Sequence, residues 1–208
     1  TYPAGMAIAR ATGRPLVVHV HATEFDRSGQ LVHQPTYDIE RGGMNAATRV
    51  IAVSHFTARI VTQRYGIPED KVDVVHNGID VTNTVVPPRA RRPEKTVLFL
   101  GRITRQKGPE FFVRAAARVA ERVSNVRFMV AGWGDLGPSM IEQACAAGLG
   151  PTMRFTGFLR GEDVDRAYQA SDVYVMPSVS EPFGLTALEA ARHGVPVVLS
   201  KTSGVAEV

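Results

Sequence analysis

Glu181 and Glu189 frame the segment EPFGLTALE, and carboxylates at that spacing can take hydroxyl groups on either side of a bound anion. The run Val173, Tyr174, Val175 and Met176 ends at Pro177 and Ser178, the pattern of a buried parallel strand. A helix is expected next. Pro182 suits its first turn, Leu185, Leu188 and Glu189 fall at helical spacings, and Gly194 followed by Pro196 stops it. Backbone N–H groups at that start, aided by the helix dipole, can hold a phosphate, and Gly184 lets the chain come close. Two like charges beside an anion make sense when each accepts hydrogen bonds from neutral hydroxyls, so a sugar nucleotide fits better than free phosphate. The plainer reading is an acidic helix start that merely favours the dipole, with Glu189 facing solvent.

A second constellation precedes it. Thr96 to Leu100 reads as a strand running into Gly101-Arg102-Ile103-Thr104-Arg105-Gln106-Lys107-Gly108, after which Pro109 opens a helix. Phe112, Ala115, Ala116 and Val119 recur at helical spacing and predict its buried face. Arg102 and Lys107 therefore stand at the carboxyl end of a strand, where open α/β sheets bind ligands. Arg offers a planar fork and Lys a mobile point charge, so the pair can clamp a diphosphate and neutralise a leaving nucleotide without a metal. The alternative is a solvated basic loop.

With these residues the chain resembles the retaining glycosyltransferases of the GT-B group, of the family four type. GRITRQKG is similar to the family's donor loop, VAGWGD to the next strand and turn, FTGF to the strand whose loop meets the base, and VYVMPSVSEPFGLTALEA to its signature segment. PLVVHVHATEF resembles the strand ending in a histidine near the transferred sugar, with His21 the better match, and VIAVSHFTARIV and VDVVHNGID resemble the end of the amino-terminal lobe. The resemblance implies that Gly101, Arg102 and Lys107 bind the donor diphosphate and that Gly134 lines the cleft. It implies that Phe158 and Leu159 flank the base and that the backbone at Phe183, Gly184 and Leu185 touches phosphate or sugar. Glu181 would hold sugar hydroxyls and Glu189 the ribose. His21, Arg102, Lys107 and Glu181 are thereby the expected catalytic set.

Elements follow from local signals. Ser54 is a good N-cap and Gly66 a good helix end, bracketing a helix that turns Phe56, Ile60 and Val61 inward; Val72 to Val75 is a strand and Asn77-Gly78 a turn. Strand and helix signals alternate along all 208 residues, and 44% hydrophobic content supports a real core. The fold expected is α/β, of GT-B type, with parts of two Rossmann-like, doubly wound parallel-sheet domains. Residues 1–82 read as the carboxyl-terminal part of an amino-terminal, acceptor-side domain, 83–95 as a proline- and arginine-rich linker, and 96–208 as a truncated nucleotide-sugar-binding domain. The resemblance implies a fragment that lacks roughly the first half of one lobe. Such a fragment is expected to bind nucleotide weakly and turn over poorly.

Other features carry less. Gly132-Trp133-Gly134-Asp135-Leu136-Gly137 matches the dinucleotide fingerprint formally, but the acidic residue expected about 20 positions on is absent, so a tight turn lining the cleft is the better reading. His19 and His21 share a strand face near Glu24 and Asp26. No metal is expected there, and one of the two histidines should be buried and hydrogen-bonded. His33, His55, His76 and His193 show no partner in the sequence and read as surface or satisfied side chains. The single Cys145 excludes an internal disulfide and suggests a helix packing position in a reducing compartment. No apolar run approaches about 18 residues; a cytoplasmic protein, with peripheral contact at the inner membrane face left open, is expected. A net charge of +4 and a pI of about 9.5 suit an anionic donor, while the arginines cluster in the linker without interleaved aromatics, so nucleic acid is not expected.

The function expected is transfer of a hexose, with retention, from a UDP-, GDP- or ADP-sugar to a hydroxyl of a glycan, lipid or small molecule, without metal or cofactor. The rival readings are a sugar-nucleotide epimerase of the same fold and a non-catalytic nucleotide-sugar-binding fragment.

Overall fold

The computed structural model describes residues 1–81 and 93–208. The expected linker 83–95 falls outside the described residues over 83–92. The chain forms two compact units, one of Thr1–Gly78 with Ser180–Gly184 and Thr202–Val208, the other of Ile79–Val179 with Leu185–Lys201.

The first unit runs α1 (Tyr2–Thr12), β1 (Val17–Val20), α2 (Glu24–Ser28), α3 (Gln34–Ala46), β2 (Arg49–Ala52), α4 (His55–Tyr65) and β3 (Val72–Val74). Its three strands are parallel in the order β1-β2-β3. Parallel strands need helical crossovers, and the caps for them are written locally. Ser54 Oγ accepts from Thr57 N at 2.9 Å, and Gly66 closes α4 in the left-handed region at φ 70. Val18, Val20, Met44, Val50, Val61 and Tyr65 form the core. Val61 is buried as expected; Phe56 and Ile60 are half-buried, and Tyr65 takes the deep position.

The later segments of this unit hold each other by backbone. Glu181 bridges Ser203 in parallel, Glu181 N donates to Thr202 O at 2.9 Å, and Val205 N donates to Phe183 O at 2.8 Å. Ser54 Oγ donates to Pro182 O at 2.6 Å.

The second unit runs β4 (Lys95–Leu100), α5 (Pro109–Ala120), β5 (Val126–Ala131), α6 (Gly137–Ala146), β6 (Met153–Gly157), α7 (Glu162–Gln169), β7 (Val173–Met176), α8 (Leu185–Arg192) and β8 (Val197–Leu199). All five strands are parallel, in the order β6-β5-β4-β7-β8. The chain therefore builds outward from β4 to one side, returns, and continues from β7 on the other. That reversal between β4 and β7 leaves a crevice at their carboxyl ends. Phe99, Phe112, Phe128, Val130, Met140 and Met153 form its core.

Three local expectations are corrected. The helix after β7 begins at Leu185, so Pro182 lies before it rather than in its first turn. On α5 the buried face is Phe112, Val113 and Ala116; Ala115 and Val119 are exposed, because the helix turns its stripe one position from the reading based on spacing alone. Cys145 is exposed on α6, and Ala144 takes the packing position.

Candidate active site

In the second unit the site grows from four strand ends. Leu100 leads β4 into Gly101-Arg102, a 3-10 turn covers Arg105–Lys107, and Gly108 sits in the left-handed region at φ 63 where its missing side chain makes room for the Pro177 carbonyl. Val179 N donates to Gln106 O at 2.9 Å. The cationic loop after β4 is thus tied to the segment that leaves β7, and both open on the same edge of the sheet because the strands are parallel neighbours.

Backbone contacts brace the loop from the other side. Ile103 N donates to Trp133 O at 3.0 Å, Leu136 N donates to Ile103 O at 3.0 Å, and Gly132 N donates to Gly157 O at 2.8 Å. A Cβ at Gly134 would collide with the Ile103 carbonyl, and one at Gly132 with that of Gly101. The glycines of the GWG turn therefore serve loop-to-loop packing, in keeping with a tight turn lining the cleft.

Between these loops lies a cavity of about 190 Å³, lined by Gly101, Arg102, Trp133, Phe158, Leu159 and Val164 among others. Arg102 is exposed and Lys107 half-buried. The Arg160 guanidinium lies 5.3 Å from the centre of the Phe158 ring. An apolar slot with an aromatic face beside a cation suits a planar base next to phosphate. Among the described residues, the buried side-chain polar atoms without a hydrogen-bond partner are Thr104 Oγ1 and Arg192 Nε. Thr104 belongs to the cationic loop itself, and its buried hydroxyl has no hydrogen-bond partner within the protein.

Glu189 rides on α8 and is half-buried rather than turned to solvent. Tyr168 Oη donates to its Oε2 at 3.0 Å and lies 3.1 Å from Thr186 O. Tyr174 Oη donates to Thr186 Oγ1 at 2.8 Å and lies 3.2 Å from Leu100 O, so the start of α8 is fastened to the end of β4. Burial, and next the Glu189 carboxylate, push the Tyr168 phenol well above its ordinary value, so it stays a donor at any physiological pH.

The remaining candidates belong to the first unit. Glu181 is buried, as are Phe183 and Gly184, and Gly184 adopts φ 109, a conformation a side chain would resist. The carbonyls of Pro182 and Phe183 are already engaged, by Ser54 and Val205 respectively, so what this turn still offers a ligand is mainly its N–H side. His21 is exposed, and so is His19; the rings lie 4.1 Å apart. The expectation that one of them is buried is corrected, since His19 on β1 and His21 just past its end are both exposed. Glu24 and Asp26 are committed elsewhere: Asp26 Oδ2 accepts from Thr23 N and Oγ1 at 2.7 and 2.8 Å, and Glu24 accepts from His33 N and Arg27.

Tyr168, Trp133, Val164 and the orphaned Thr104 were not singled out from the sequence. Tyr168 and Val164 sit on an amphipathic helix where a core role explains them equally well. Thr104 and Trp133 lie inside motifs already noticed, and only the packing of the two loops gives them a task.

The sequence profile described as Glycosyl transferases group 1 matches residues 94–208, and that described as Glycosyltransferase Family 4 matches residues 1–83. An uncharacterised glycosyltransferase of Methanocaldococcus jannaschii is 33% identical over 100% of this chain and 57% of its own length. The 2-deoxystreptamine glucosyltransferase of Streptomyces kanamyceticus is 28% identical over 98% and 57%, and glycogen synthase of Mycobacterium tuberculosis 31% over 97% and 50%. The chain thus spans about half the length of the curated relatives it matches. Among solved structures, Anabaena HepE in complex with UDP and glucose superposes with a TM-score of 0.83 at 24% identity, over 99% of this chain and 58% of that one. Sucrose-phosphate synthase from Thermosynechococcus elongatus gives 0.79 at 23%, over 98% and 55%.

Proposed function

The chain belongs to the group 1, family four glycosyltransferases of GT-B fold, and from that premise we propose that it contributes the donor site of a hexosyltransferase that uses a nucleoside diphosphate sugar and retains the anomeric configuration. The observation that carries this reading is the crevice at the β4/β7 reversal, where the Arg102–Lys107 loop is hydrogen-bonded to the segment leading toward α8. Arg102 and Lys107 take the diphosphate. The base enters the slot of Trp133, Phe158 and Leu159. Glu189, its carboxylate aimed by Tyr168, accepts from the ribose hydroxyls. Glu181 and His21 serve the transferred sugar.

As the glycosidic bond breaks, charge grows on the leaving diphosphate, and fixed cations stabilise it more in the transition state than in the bound donor. That makes the transfer independent of a metal. The diphosphate oxygen itself takes the proton of the acceptor hydroxyl, which approaches on the face the leaving group vacates, and configuration is kept. The acceptor class is a glycan, a lipid or a small molecule. The Anabaena structure holds UDP and glucose, in keeping with a nucleotide-sugar donor whose base is left open here among uridine, guanosine and adenosine.

Calorimetry of the chain with UDP, GDP and ADP in the presence of EDTA tests the donor site. One nucleotide binds, and Lys107→Ala weakens it. Binding of none of the three, or an unchanged affinity in Lys107→Ala, overturns the assignment. A product of inverted configuration from the transferase would overturn the retaining step alone.

A further inference from the structure

His55, His76 and Glu207 come together in the first unit although they are far apart in sequence. One ring nitrogen of each histidine and a Glu207 oxygen lie within 4.8 Å of one another. His76 Nε2 is 3.0 Å from Glu207 Oε2, and the two imidazoles meet edge to face with centroids 5.9 Å apart. Among the described residues this is the one group of three such side chains close enough to share an ion. We propose that His55, His76 and Glu207 form a zinc site that clips the Thr202–Val208 segment onto α4 and the end of β3.

The donor set and its support both fit. Two imidazoles and one carboxylate suit a borderline ion such as Zn²⁺, with water filling the remaining position. Tetrahedral zinc with bonds of roughly 2.0 to 2.1 Å holds its donors about 3.3 Å apart. The His76 to Glu207 distance of 3.0 Å is close to this, and the other separations, at most 4.8 Å, have to shorten when the ion binds. Glu207 is aimed before any ion arrives. Its Oε2 accepts from His55 N at 2.8 Å and its Oε1 from Phe56 N at 2.7 Å, the outer hydrogen bonds that orient a ligating carboxylate. The backbones that carry the three ligands are fixed by the α4 cap at Ser54, by β3 and by the 3-10 turn Gly204–Glu207. A cavity of about 510 Å³, lined by His55, His76, Arg59 and Thr62 among others, gives the ion a way in. Mg²⁺ and Ca²⁺, which call for oxygen ligands in sixfold or higher coordination, do not match this set.

The test is titration of the chelator-stripped 208-residue chain with ZnCl2 by calorimetry, with Co²⁺ absorption reporting the coordination geometry. One Zn²⁺ per chain and no heat with MgCl2 are expected. His55→Ala, His76→Ala and Glu207→Gln should each weaken Zn²⁺ by about 10- to 100-fold or more, taking the loss of an outer partner as the lower bound. His19→Ala, which removes half of the other close histidine pair, should leave affinity and stoichiometry unchanged. Should a ligand variant fail to fold by circular dichroism, X-ray absorption on the zinc-loaded wild-type chain replaces it and should count two imidazoles. Failure to bind Zn²⁺, full affinity in His76→Ala, loss of binding in His19→Ala, or an absorption spectrum without two imidazoles overturns the site. None of these outcomes bears on nucleotide binding, so the donor-site reading stands or falls separately.

Discussion

The two units spend their polar side chains in opposite ways. In the first, the buried carboxylates Glu24, Asp26 and Glu40 are consumed by the protein itself. Glu40 accepts from Glu24 N at 2.9 Å, from Arg27 at 2.5 Å and from Tyr65 Oη through a very short contact, and burial together with Glu40 pushes the Tyr65 phenol far up. Ser180 Oγ donates to Asp26 Oδ1 at 2.6 Å. Such a network fixes one arrangement of α2, α3 and α4 and leaves little for a ligand. In the second unit the sheet edge carries an exposed Arg102, an unsatisfied Thr104 hydroxyl and a Glu189 held on one side by Tyr168. Charge satisfied from within is scaffold, and polarity left over at a strand end is for something else.

That contrast can be broken. Lys107→Ala should lower kcat/KM of the transferase by about 100- to 1000-fold, the loss seen when a single charge-stabilising donor is removed, with the melting temperature of the chain little changed. Glu40→Ala should do the reverse. It strips the partner from Arg27 and Tyr65, and chemical denaturation should show a loss of about 3 kcal/mol, the low end for a broken buried pair because Arg27 is 43% exposed. Equal effects of both variants on stability and on transfer would erase the distinction.

Finer substitutions sharpen it. Gly134→Ala pushes the Ile103 carbonyl and with it the cationic loop, an overpacking cost of about 1–3 kcal/mol that should appear mainly as weakened nucleotide binding. Tyr168→Phe removes one hydrogen bond from Glu189, worth about 0.5–1.5 kcal/mol, and should weaken a ribonucleotide more than its 2′,3′-dideoxy analogue. Equal weakening of the two would mean that Tyr168 does not act through the ribose contact.

The smallest effect is in pH. Burial alone would raise the Glu24 carboxyl, yet hydrogen bonds from His33 N, from Ser28 and from Arg27 outweigh it and hold the folded value below the ordinary one. A depressed carboxyl contributes stability that is complete above its unfolded value, near pH 4.3, and fades as pH falls through the folded value. The melting-temperature gap between wild type and Glu24→Gln should therefore be constant above about pH 5 and close on further acidification. A gap that widened in acid would contradict the assignment.

Much of the fold was legible because its signals are short-range. Ser54 and Gly66 mark both ends of α4, Pro109 opens α5, and Gly194 lies just past α8, each through a backbone rule that needs no distant partner. The start of α8 was misread by three residues, because Pro182 is drawn into a bridge region with Ser203 and Ser54 that overrides its preference for a helix start. The face of α5 was misread at Ala115 and Val119, where several small and branched residues offer more than one stripe.

Residue types and spacing by themselves determined the alternating parallel α/β plan, the cationic loop, the paired glutamates and the family to which they belong. They could do so because strands, caps and glycine turns are dictated by neighbours within a few positions. Only the tertiary structure decided that Thr104 loses its partner, that Tyr168 aims Glu189 from 21 residues away, and that Glu207 meets His76 across 131. Those outcomes depend on which strand lies beside which, and separation along the chain carries no record of it.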